Sequence, residues 1–210
     1  MIFKDRFTAG KLLSKELSHY KNNKNAVILA IPRGGLQVGY SIAKELNLKL
    51  GIILTKKIGY PGNPEYAIGA VSLTSKIVEE QGISKDYIQN EIKNIRNALK
   101  ERYKKYLGKS KPQSLKNKIV ILTDDGIATG KTMLLTIKLI KEQKPKKIII
   151  AIPVGPTDNA ELLKREADEI ICLYTPENFF AIGEFYENFE QVSDEEAISL
   201  VKEIQSFHKS

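Results

Sequence analysis

A short apolar run followed by two acids and a glycine-bearing loop constrains the fold of this chain more than any other feature. Residues 119–122 are all apolar, which predicts a buried strand, and Asp124 and Asp125 follow closely. Beyond the acids, apolar residues recur at helical spacing, at Met133, Ile137 and Ile140. A strand, a tight loop and a helix in this order point backbone N–H groups at a ligand above the helix N-terminus, where phosphate is the usual occupant.

The acid pair, Asp124 and Asp125, limits the kinds of ligand that this site could bind. A site for phosphate alone would not place two carboxylates beside the anion, because like charges repel. The pair suits a ligand that also carries hydroxyl donors, such as a ribose diol, or one that brings a divalent cation, such as a diphosphate with Mg²⁺. A Walker A loop does not fit, because it needs four residues where Gly126 and Gly130 enclose three. An acidic turn that only caps a helix is the alternative interpretation.

This stretch resembles the 5-phosphoribosyl 1-diphosphate signature of type I phosphoribosyltransferases, in which an apolar strand and two acids precede a small loop ending Thr-Gly-Lys-Thr. The resemblance implies that Asp124 and Asp125 hold the ribose hydroxyls, bind the metal and act in catalysis. It implies that the phosphate loop, residues 126–132, binds the 5′-phosphate through Gly126, Ala128, Thr129, Gly130, Lys131 and Thr132. Many purine members carry an Asp in place of Ala128, and that Asp is credited with handling a proton on the base. Ala128 therefore leaves the general base unassigned.

A second strand and glycine turn repeats this pattern near the start of the chain. Residues 27–31 are apolar and lead into Pro32, Arg33, Gly34 and Gly35. The glycines permit close approach of a ligand, and a guanidinium suits phosphate oxygens. On the residues alone, the motif fits an ordinary turn as well as an anion site. In the family the loop after this strand binds diphosphate, often through a strained peptide, and the match implies that role for Arg33 and Gly34, with Arg33 acting on the leaving group.

Two lysines and a segment rich in Gly and Pro follow the next predicted strand, residues 51–55. Lys56 and Lys57 would lie at the carboxyl end of that strand, where open α/β sheets bind ligands, so we expect at least one to bind diphosphate. Ordinary surface lysines are the alternative. Residues 58–66 predict a loop that could close over a nearby site. The family has a mobile loop in this region.

Strands and helices alternate along the chain. Helices are predicted at 7–20, 36–46, 132–143 and 158–165 and after Ser84 and Ser193, strands at 148–152 and 169–173, and a hairpin from 69–73 and 76–79. This alternation indicates an α/β fold with a central parallel sheet flanked by helices. We expect a single Rossmann-like domain over 1–210, with a core of about 1–173, a mobile loop, and a C-terminal hood and terminal helix over about 174–210.

Aromatic residues crowd the hood segment, residues 174–189. Most of these rings must form a small hydrophobic flap, but a planar base also needs a flat apolar partner. The segment resembles the hood of 6-oxopurine phosphoribosyltransferases, which implies that Phe179 or Phe180 stacks on the base and that Glu187 lies near metal and diphosphate. Those enzymes usually carry a lysine donor at the end of the strand that leads to the hood, where this chain has Pro153, so the match also implies that Pro153 lies at the base. Because a missing donor would leave the base oxygen unpaired, we expect adenine, with the 6-oxopurines as the alternative.

Composition bears on other functions. With two histidines and one cysteine, Cys172, a zinc site is not expected. The net charge of +8 is compatible with nucleic-acid binding, with a lysine-rich surface or with attraction of a phosphate-rich substrate. The basic run 100–111 contains Tyr103 and Tyr106 and could bind nucleic acid, but we favour a solvated helix end. No apolar run approaches ~18 residues or forms a signal core, which predicts a cytoplasmic protein without a membrane span.

The sequence thus predicts a Mg²⁺-dependent phosphoribosyltransferase of purine salvage. It would transfer the 5-phosphoribosyl group to adenine, give AMP and release diphosphate, with Mg²⁺ held by Asp124, Asp125 and Glu187. The partners would be small-molecule substrates rather than nucleic acid, and the family commonly forms homodimers. A nucleotide sensor that binds RNA or DNA on the same fold is the alternative from another functional class.

Overall fold

The computed structural model describes residues 1–78 and 82–207. Its strands are β1 (Ala26–Ala30), β2 (Lys49–Ile52), β3 (Thr55–Tyr60), β4 (Asn63–Ser72), β5 (Lys76–Val78), β6 (Ile119–Thr123), β7 (Lys147–Val154) and β8 (Glu169–Tyr174). Its α-helices are α1 (Arg6–Glu16), α2 (Gly35–Leu46), α3 (Lys85–Leu107), α4 (Lys131–Lys141), α5 (Thr157–Lys164) and α6 (Asp194–Phe207). Short 3₁₀ turns cover Ser18–Tyr20 and Ile182–Phe185. Most predicted elements are therefore present, with ends shifted by a few residues.

A five-stranded parallel sheet forms the centre of the described fold, in the order β2–β1–β6–β7–β8. Strands β1 and β6 pair from Ala26 opposite Ile119 to Ala30 opposite Thr123, so their carboxyl ends lie side by side. The strand order changes direction here, since β2 lies on one side of β1 and β6 on the other. Ligands of open α/β sheets bind outside the carboxyl ends at such a switch point. The predicted α/β fold class is confirmed.

Different helices cover the two faces of the sheet. Successive side chains of a strand point to opposite faces, so each strand contributes to both packing layers. One face packs against α1 and α2, through residues that include Ile28, Ala30, Ile121, Leu13, Leu36 and Ile42. The other packs against α4 and α5, through residues that include Val27, Leu29, Val120, Leu122, Met133, Ile137 and Leu163. This double burial fixes where β1 and β6 end, and therefore where the loops that follow them begin. None of the described helices is long and apolar enough to cross a membrane.

The segment after β2 differs from the prediction. Residues 58–66 do not form a loop, because β3 and β4 pair as an antiparallel hairpin with Ile58 opposite Gly69 and Tyr60 opposite Asn63. Glycine is required within it, since a β-carbon on Gly59 would lie 2.7 Å from Cα of Pro64. The one predicted hairpin, from 69–73 and 76–79, is confirmed by the pairing of β4 with β5, although residue 79 lies outside the described residues. Both faces of the β3–β4 hairpin are partly exposed, so its sequence lacks the clear hydrophobic alternation of a strand. Its high Gly and Pro content therefore led to the wrong prediction of a loop.

Candidate active site

The turn after β1 packs directly against the acid pair. A β-carbon on Gly34 would lie 1.9 Å from Oδ2 of Asp125, and one on Gly35 would lie 2.9 Å from Cα of Asp124. No side chain larger than hydrogen fits at such distances, so the two glycines allow the approach. The peptide bond between Pro32 and Arg33 is cis. The structure therefore brings together the two glycine turns that the sequence pattern singled out.

The acid pair follows β6 and contains an internal hydrogen bond. The backbone N–H of Asp125 donates to Oδ1 of Asp124 at 2.9 Å. Burial, and then the negative charge of Asp125, raise the pKa of Asp124 well above its ordinary value. A ligand that brings a hydroxyl donor or positive charge to Asp124 would offset the cost of ionising it.

Arg6, the first residue of α1, belongs to the site and was not identified from the sequence. Its Nε donates to Oδ2 of Asp125 at 2.7 Å, and its Nη1 donates to the carbonyl oxygen of Glu190 at 2.9 Å. Its guanidinium carbon lies 3.7 Å from the ring centroid of Phe189. The available signal was its spacing, because Arg6 lies on the same helical face as the buried residues Ala9 and Leu13.

These contacts leave one carboxylate oxygen on each acid without a partner from outside the acid pair. Asp124 uses Oδ1 and Asp125 uses Oδ2, and the two carboxyl groups also contact each other. Among residues 1–78 and 82–207, no hydrogen bond from outside the acid pair reaches Oδ2 of Asp124 or Oδ1 of Asp125. Side-chain exposure of Asp125 is 14%, so the pair is shielded but not sealed from solvent. The site therefore presents two acceptors that belong to adjacent residues.

The phosphate loop leads from the acid pair into α4. Gly130, the residue before α4, has φ of +69°, a conformation that favours glycine. A long contact of 3.5 Å joins the Lys131 N–H to Oγ1 of Thr129, and otherwise no described side chain caps this helix end. Ala128, Thr129, Lys131 and Thr132 are exposed. The start of α4 thus has the uncapped backbone N–H groups that an anion can bind.

Arg33 reaches toward α6. Its Nη1 lies 3.8 Å from Oδ1 of Asp194, and its side chain is one-third exposed at 33%. Asp194 is also held by Lys105 Nζ at 2.6 Å and by the Tyr106 hydroxyl at 2.8 Å. These two hydrogen bonds lower the pKa of Asp194. The Arg33 guanidinium is therefore only loosely paired and remains open to a ligand.

Lys56 and Lys57 are not at the carboxyl end of a parallel strand, so their predicted placement is wrong. Both lie within β3, whose neighbour β4 is antiparallel. Nζ of Lys57 lies 2.9 Å from Oε2 of Glu65, and this hydrogen bond lowers the pKa of Glu65. A diphosphate-binding role for either lysine remains a prediction that now depends on the position of the hairpin.

The predicted base-binding residues have different surroundings. Phe179 stacks on Phe185 with ring centroids 5.4 Å apart, whereas Phe180 is 84% exposed. Pro153 is buried inside β7 rather than in a loop, because the strand continues to Val154. Phe180 is thus the ring of this set with a free face.

Glu187 does not complete a three-carboxylate metal site. It is exposed, and its backbone N–H donates to the carbonyl oxygen of Phe3 at 2.8 Å. Within the described part of the chain, no three His, Cys, Asp or Glu side chains form a group that could hold a metal ion. The predicted metal set of Asp124, Asp125 and Glu187 is therefore not brought together as one group in the described part of the chain.

Comparison with known proteins identifies the family. The profile of the phosphoribosyl transferase domain matches residues 4–190. The chain belongs to the phosphoribosyl transferase family. A Mycobacterium tuberculosis H37Rv protein, provisionally named a phosphoribosyl transferase, is 32% identical over 206 residues, which cover 95% of this chain and 46% of that protein. This phosphoribosyl transferase family member therefore spans about half the length of that relative.

Two further comparisons concern the fold and the family. A crystal structure of a Thermus thermophilus protein has a TM-score of 0.86 and 32% identity, and the alignment covers 97% of this chain and 99% of that one. The adenine phosphoribosyltransferase of Bacteroides thetaiotaomicron is 27% identical over 149 residues, which cover 71% of this chain and 68% of that protein. The resemblance inferred from the acid pair and the phosphate loop is thus confirmed at the level of family and fold.

Proposed function

We propose that the chain is a phosphoribosyltransferase that transfers the 5-phosphoribosyl group from 5-phosphoribosyl 1-diphosphate to a purine base. The observation that carries this proposal is the pair of oxygens, Oδ2 of Asp124 and Oδ1 of Asp125, that accept no hydrogen bond from outside the acid pair. Two acceptors on adjacent residues suit the two neighbouring hydroxyls of a ribose. A ligand that carried only phosphate would be repelled by them.

The phosphate loop is proposed to bind the 5′-phosphate of the same ligand. The start of α4 offers uncapped N–H groups and the positive end of the helix dipole, and Lys131 adds a cation. The loop follows the acid pair directly in the chain. Ribose hydroxyls and 5′-phosphate could therefore be held by one continuous segment.

The turn at Arg33 and Gly34 is proposed to bind the diphosphate. Arg33 is loosely paired, and its guanidinium can donate to two phosphate oxygens at once. Asp124 and Asp125 fit Mg²⁺ as an ion shared with the diphosphate, because Mg²⁺ is usually bound by one or two carboxylates together with substrate phosphates and water. When bound, Mg²⁺ would neutralise charge on the departing diphosphate.

In the proposed reaction the bond between ribose C1 and the diphosphate breaks as a base nitrogen bonds to C1. The base loses a proton from that nitrogen, and the products are a nucleoside monophosphate and diphosphate. Asp124 and Asp125 would hold the ribose in line, and Arg33 would stabilise the negative charge of the leaving group. The methyl side chain of Ala128 cannot accept the proton of the base.

Adenine is the proposed base. Phe180 offers an exposed ring for stacking, and the carboxyl-terminal half of β7 is buried and apolar at Ala151, Ile152 and Pro153. No charged donor from that part of β7 is present for a 6-oxo group, whereas adenine needs none. The 27% identity to an adenine phosphoribosyltransferase is a further, weaker support. The 6-oxopurines are the alternative substrates.

The test is a panel of purine bases incubated with 5-phosphoribosyl 1-diphosphate and Mg²⁺ and scored for nucleotide and diphosphate. Adenine should give AMP, and the double variant Asp124→Asn with Asp125→Asn should lose most turnover while keeping its circular dichroism spectrum. Asp86→Asn, an exposed acid at the start of α3, is the control and should keep wild-type turnover. Unchanged rates in the double variant would refute the assignment of the acid pair, and turnover of a 6-oxopurine alone would refute adenine.

The regulatory alternative has no comparable support. Tyr103 and Tyr106, the aromatic residues of the basic run, are 8% and 2% exposed and pack in the core. They cannot act as stacking platforms for RNA or DNA in this conformation. A homodimer, a cytoplasmic location and a single domain over residues 1–210 remain predictions.

A further inference from the structure

Arg6 joins three parts of the molecule that the sequence keeps far apart. It begins α1, it forms an ion pair with Asp125, and it donates to the carbonyl oxygen of Glu190 just beyond the hood segment. Its side chain is 7% exposed, so this cation is nearly withdrawn from water. Because removing a charge from water is costly, a buried guanidinium needs partners held in fixed positions, here Asp125 and the Glu190 carbonyl oxygen.

The start of α1 is held rigidly, so Arg6 is not a freely moving side chain. The carboxylate of Asp5 accepts a hydrogen bond from the Thr8 N–H at 2.6 Å and caps the helix. One turn later, a β-carbon on Gly10 would lie 2.5 Å from the carbonyl oxygen of Val38, so α1 packs closely on α2. The guanidinium therefore approaches Asp125 from a fixed direction.

Aromatic residues of the hood segment also contact Arg6 and Asp125. The guanidinium carbon of Arg6 lies 3.7 Å from the ring centroid of Phe189, and Phe189 stacks on Tyr186 with centroids 5.1 Å apart. The Tyr186 hydroxyl donates to the backbone carbonyl oxygen of Asp125 at 2.6 Å. The hood segment thus contacts Asp125 directly through Tyr186, and indirectly through Phe189, which packs on Arg6.

We propose that Arg6 is a positioning residue that orients the carboxylate of Asp125 toward a ligand hydroxyl and couples this orientation to the hood. By occupying Oδ2, Arg6 leaves Oδ1 as the oxygen that is presented. It also supplies a positive charge beside two adjacent carboxylates, which would otherwise repel each other. The inference rests on the proposed function, because it needs a ligand with ribose hydroxyls.

The test compares binding of ribose 5-phosphate and 2-deoxyribose 5-phosphate by isothermal titration calorimetry. The two probes share the phosphate and differ in the 2-hydroxyl, so their affinity ratio reports on the acid pair and not on the phosphate loop. Wild-type protein should prefer ribose 5-phosphate by about tenfold, the effect of one hydrogen bond to a charged acceptor. In Arg6→Gln this ratio should fall to about one while 2-deoxyribose 5-phosphate still binds, because the phosphate loop is unchanged.

Three further variants keep the outcome interpretable. Arg6→Lys retains the charge without the planar fork and should recover part of the discrimination, and Phe189→Leu should reduce it by removing the ring under the guanidinium. Arg165→Gln, at the exposed end of α5, is the matched control and should keep the wild-type ratio. If Arg6→Gln does not fold, the decision rests on Arg6→Lys and Phe189→Leu.

The failures of the two proposals can be told apart. Wild-type discrimination that persists unchanged in the Arg6 and Phe189 variants would overturn the role of Arg6 while leaving the proposed ribose site intact. Wild-type protein that does not distinguish the two sugar phosphates would overturn the proposed acid-pair function, and the role of Arg6 with it.

Discussion

Asn159 on α5 donates a hydrogen bond from Nδ2 to the backbone carbonyl oxygen of Ala128, inside the phosphate loop. This contact ties the loop to the helix that follows β7. Asn159→Ala removes this hydrogen bond and leaves the sequence of the phosphate loop, including Gly130, unchanged. We expect the affinity for ribose 5-phosphate, measured by calorimetry, to fall by about three- to tenfold, the effect of about 1 kcal/mol.

The control for this prediction is Leu162→Ala on the same helix. Leu162 is 43% exposed, so its truncation should leave the affinity for ribose 5-phosphate unchanged. Equal losses of affinity in both variants would show that α5 acts through its general stability rather than through Asn159.

Gly34→Ala should damage the site through steric overlap rather than through backbone strain. Gly34 has φ of −56° and ψ of −41°, which any residue adopts, but its β-carbon would lie 1.9 Å from Oδ2 of Asp125. The acid or the turn must move, so we expect nearly complete loss of transferase activity and a fall of about 1–3 kcal/mol in the free energy of unfolding by urea.

Gly108→Ala separates this effect from the general cost of replacing a glycine. Gly108 has φ of +60° and nothing within 4 Å of an added β-carbon. Its ψ is −125°, so the backbone lies outside the left-handed helical region, and Gly108→Ala should lose about 1–3 kcal/mol of stability through strain alone and keep its activity. Wild-type activity in Gly34→Ala would contradict the close contact between the two loops.

The predictable parts of this fold are those encoded by local pattern. The apolar run before Asp124 and the helical spacing of Met133, Ile137 and Ile140 correspond to β6 and α4, because burial on both faces of a sheet leaves few polar residues in a strand. The acid pair could be identified because the carboxyl ends of adjacent parallel strands form a ligand crevice.

The parts that sequence reasoning missed depend on contacts distant in sequence. Arg6 and Asp125 are separated by 119 positions, and no local pattern couples them. The placement of Lys56 and Lys57 was wrong because the chain leaves the parallel sheet after Ile52 and starts a separate antiparallel hairpin at Thr55. The apolar run from residue 51 to 54 does not show where the parallel strand stops and where the strand of the antiparallel sheet begins.

Phe180 and Phe185 should respond to truncation in opposite ways. Phe180 is 84% exposed, so Phe180→Ala should leave the free energy of unfolding nearly unchanged but raise KM for the base by about tenfold through lost stacking. Phe185 is 9% exposed and packs on Phe179 and Tyr174, so Phe185→Ala should cost about 3–5 kcal/mol in stability. Steady-state kinetics and urea unfolding give both quantities, and an unchanged KM in Phe180→Ala would remove this ring from the base site.

The acid pair should also give the stability of the protein a distinctive pH dependence. Burial and the neighbouring charge of Asp125 raise the pKa of Asp124 above its ordinary value of 3.8. Between that value and the raised one, the unfolded chain has released this proton while the folded chain still holds it. This group therefore makes the folded state less stable as pH rises through the window, and its effect is constant above it.

Asn does not titrate, so Asp124→Asn should lack this fall in stability with rising pH. The difference in unfolding free energy, variant minus wild type, should become more positive as pH increases from about 4 to about 8, because only the wild-type side chain must ionise in a buried place. Urea unfolding at a series of pH values measures this difference, with Asp86→Asn as the exposed control. A difference for Asp124→Asn that stays flat with pH, or that matches the control, would mean that Asp124 ionises in the folded protein as easily as in water.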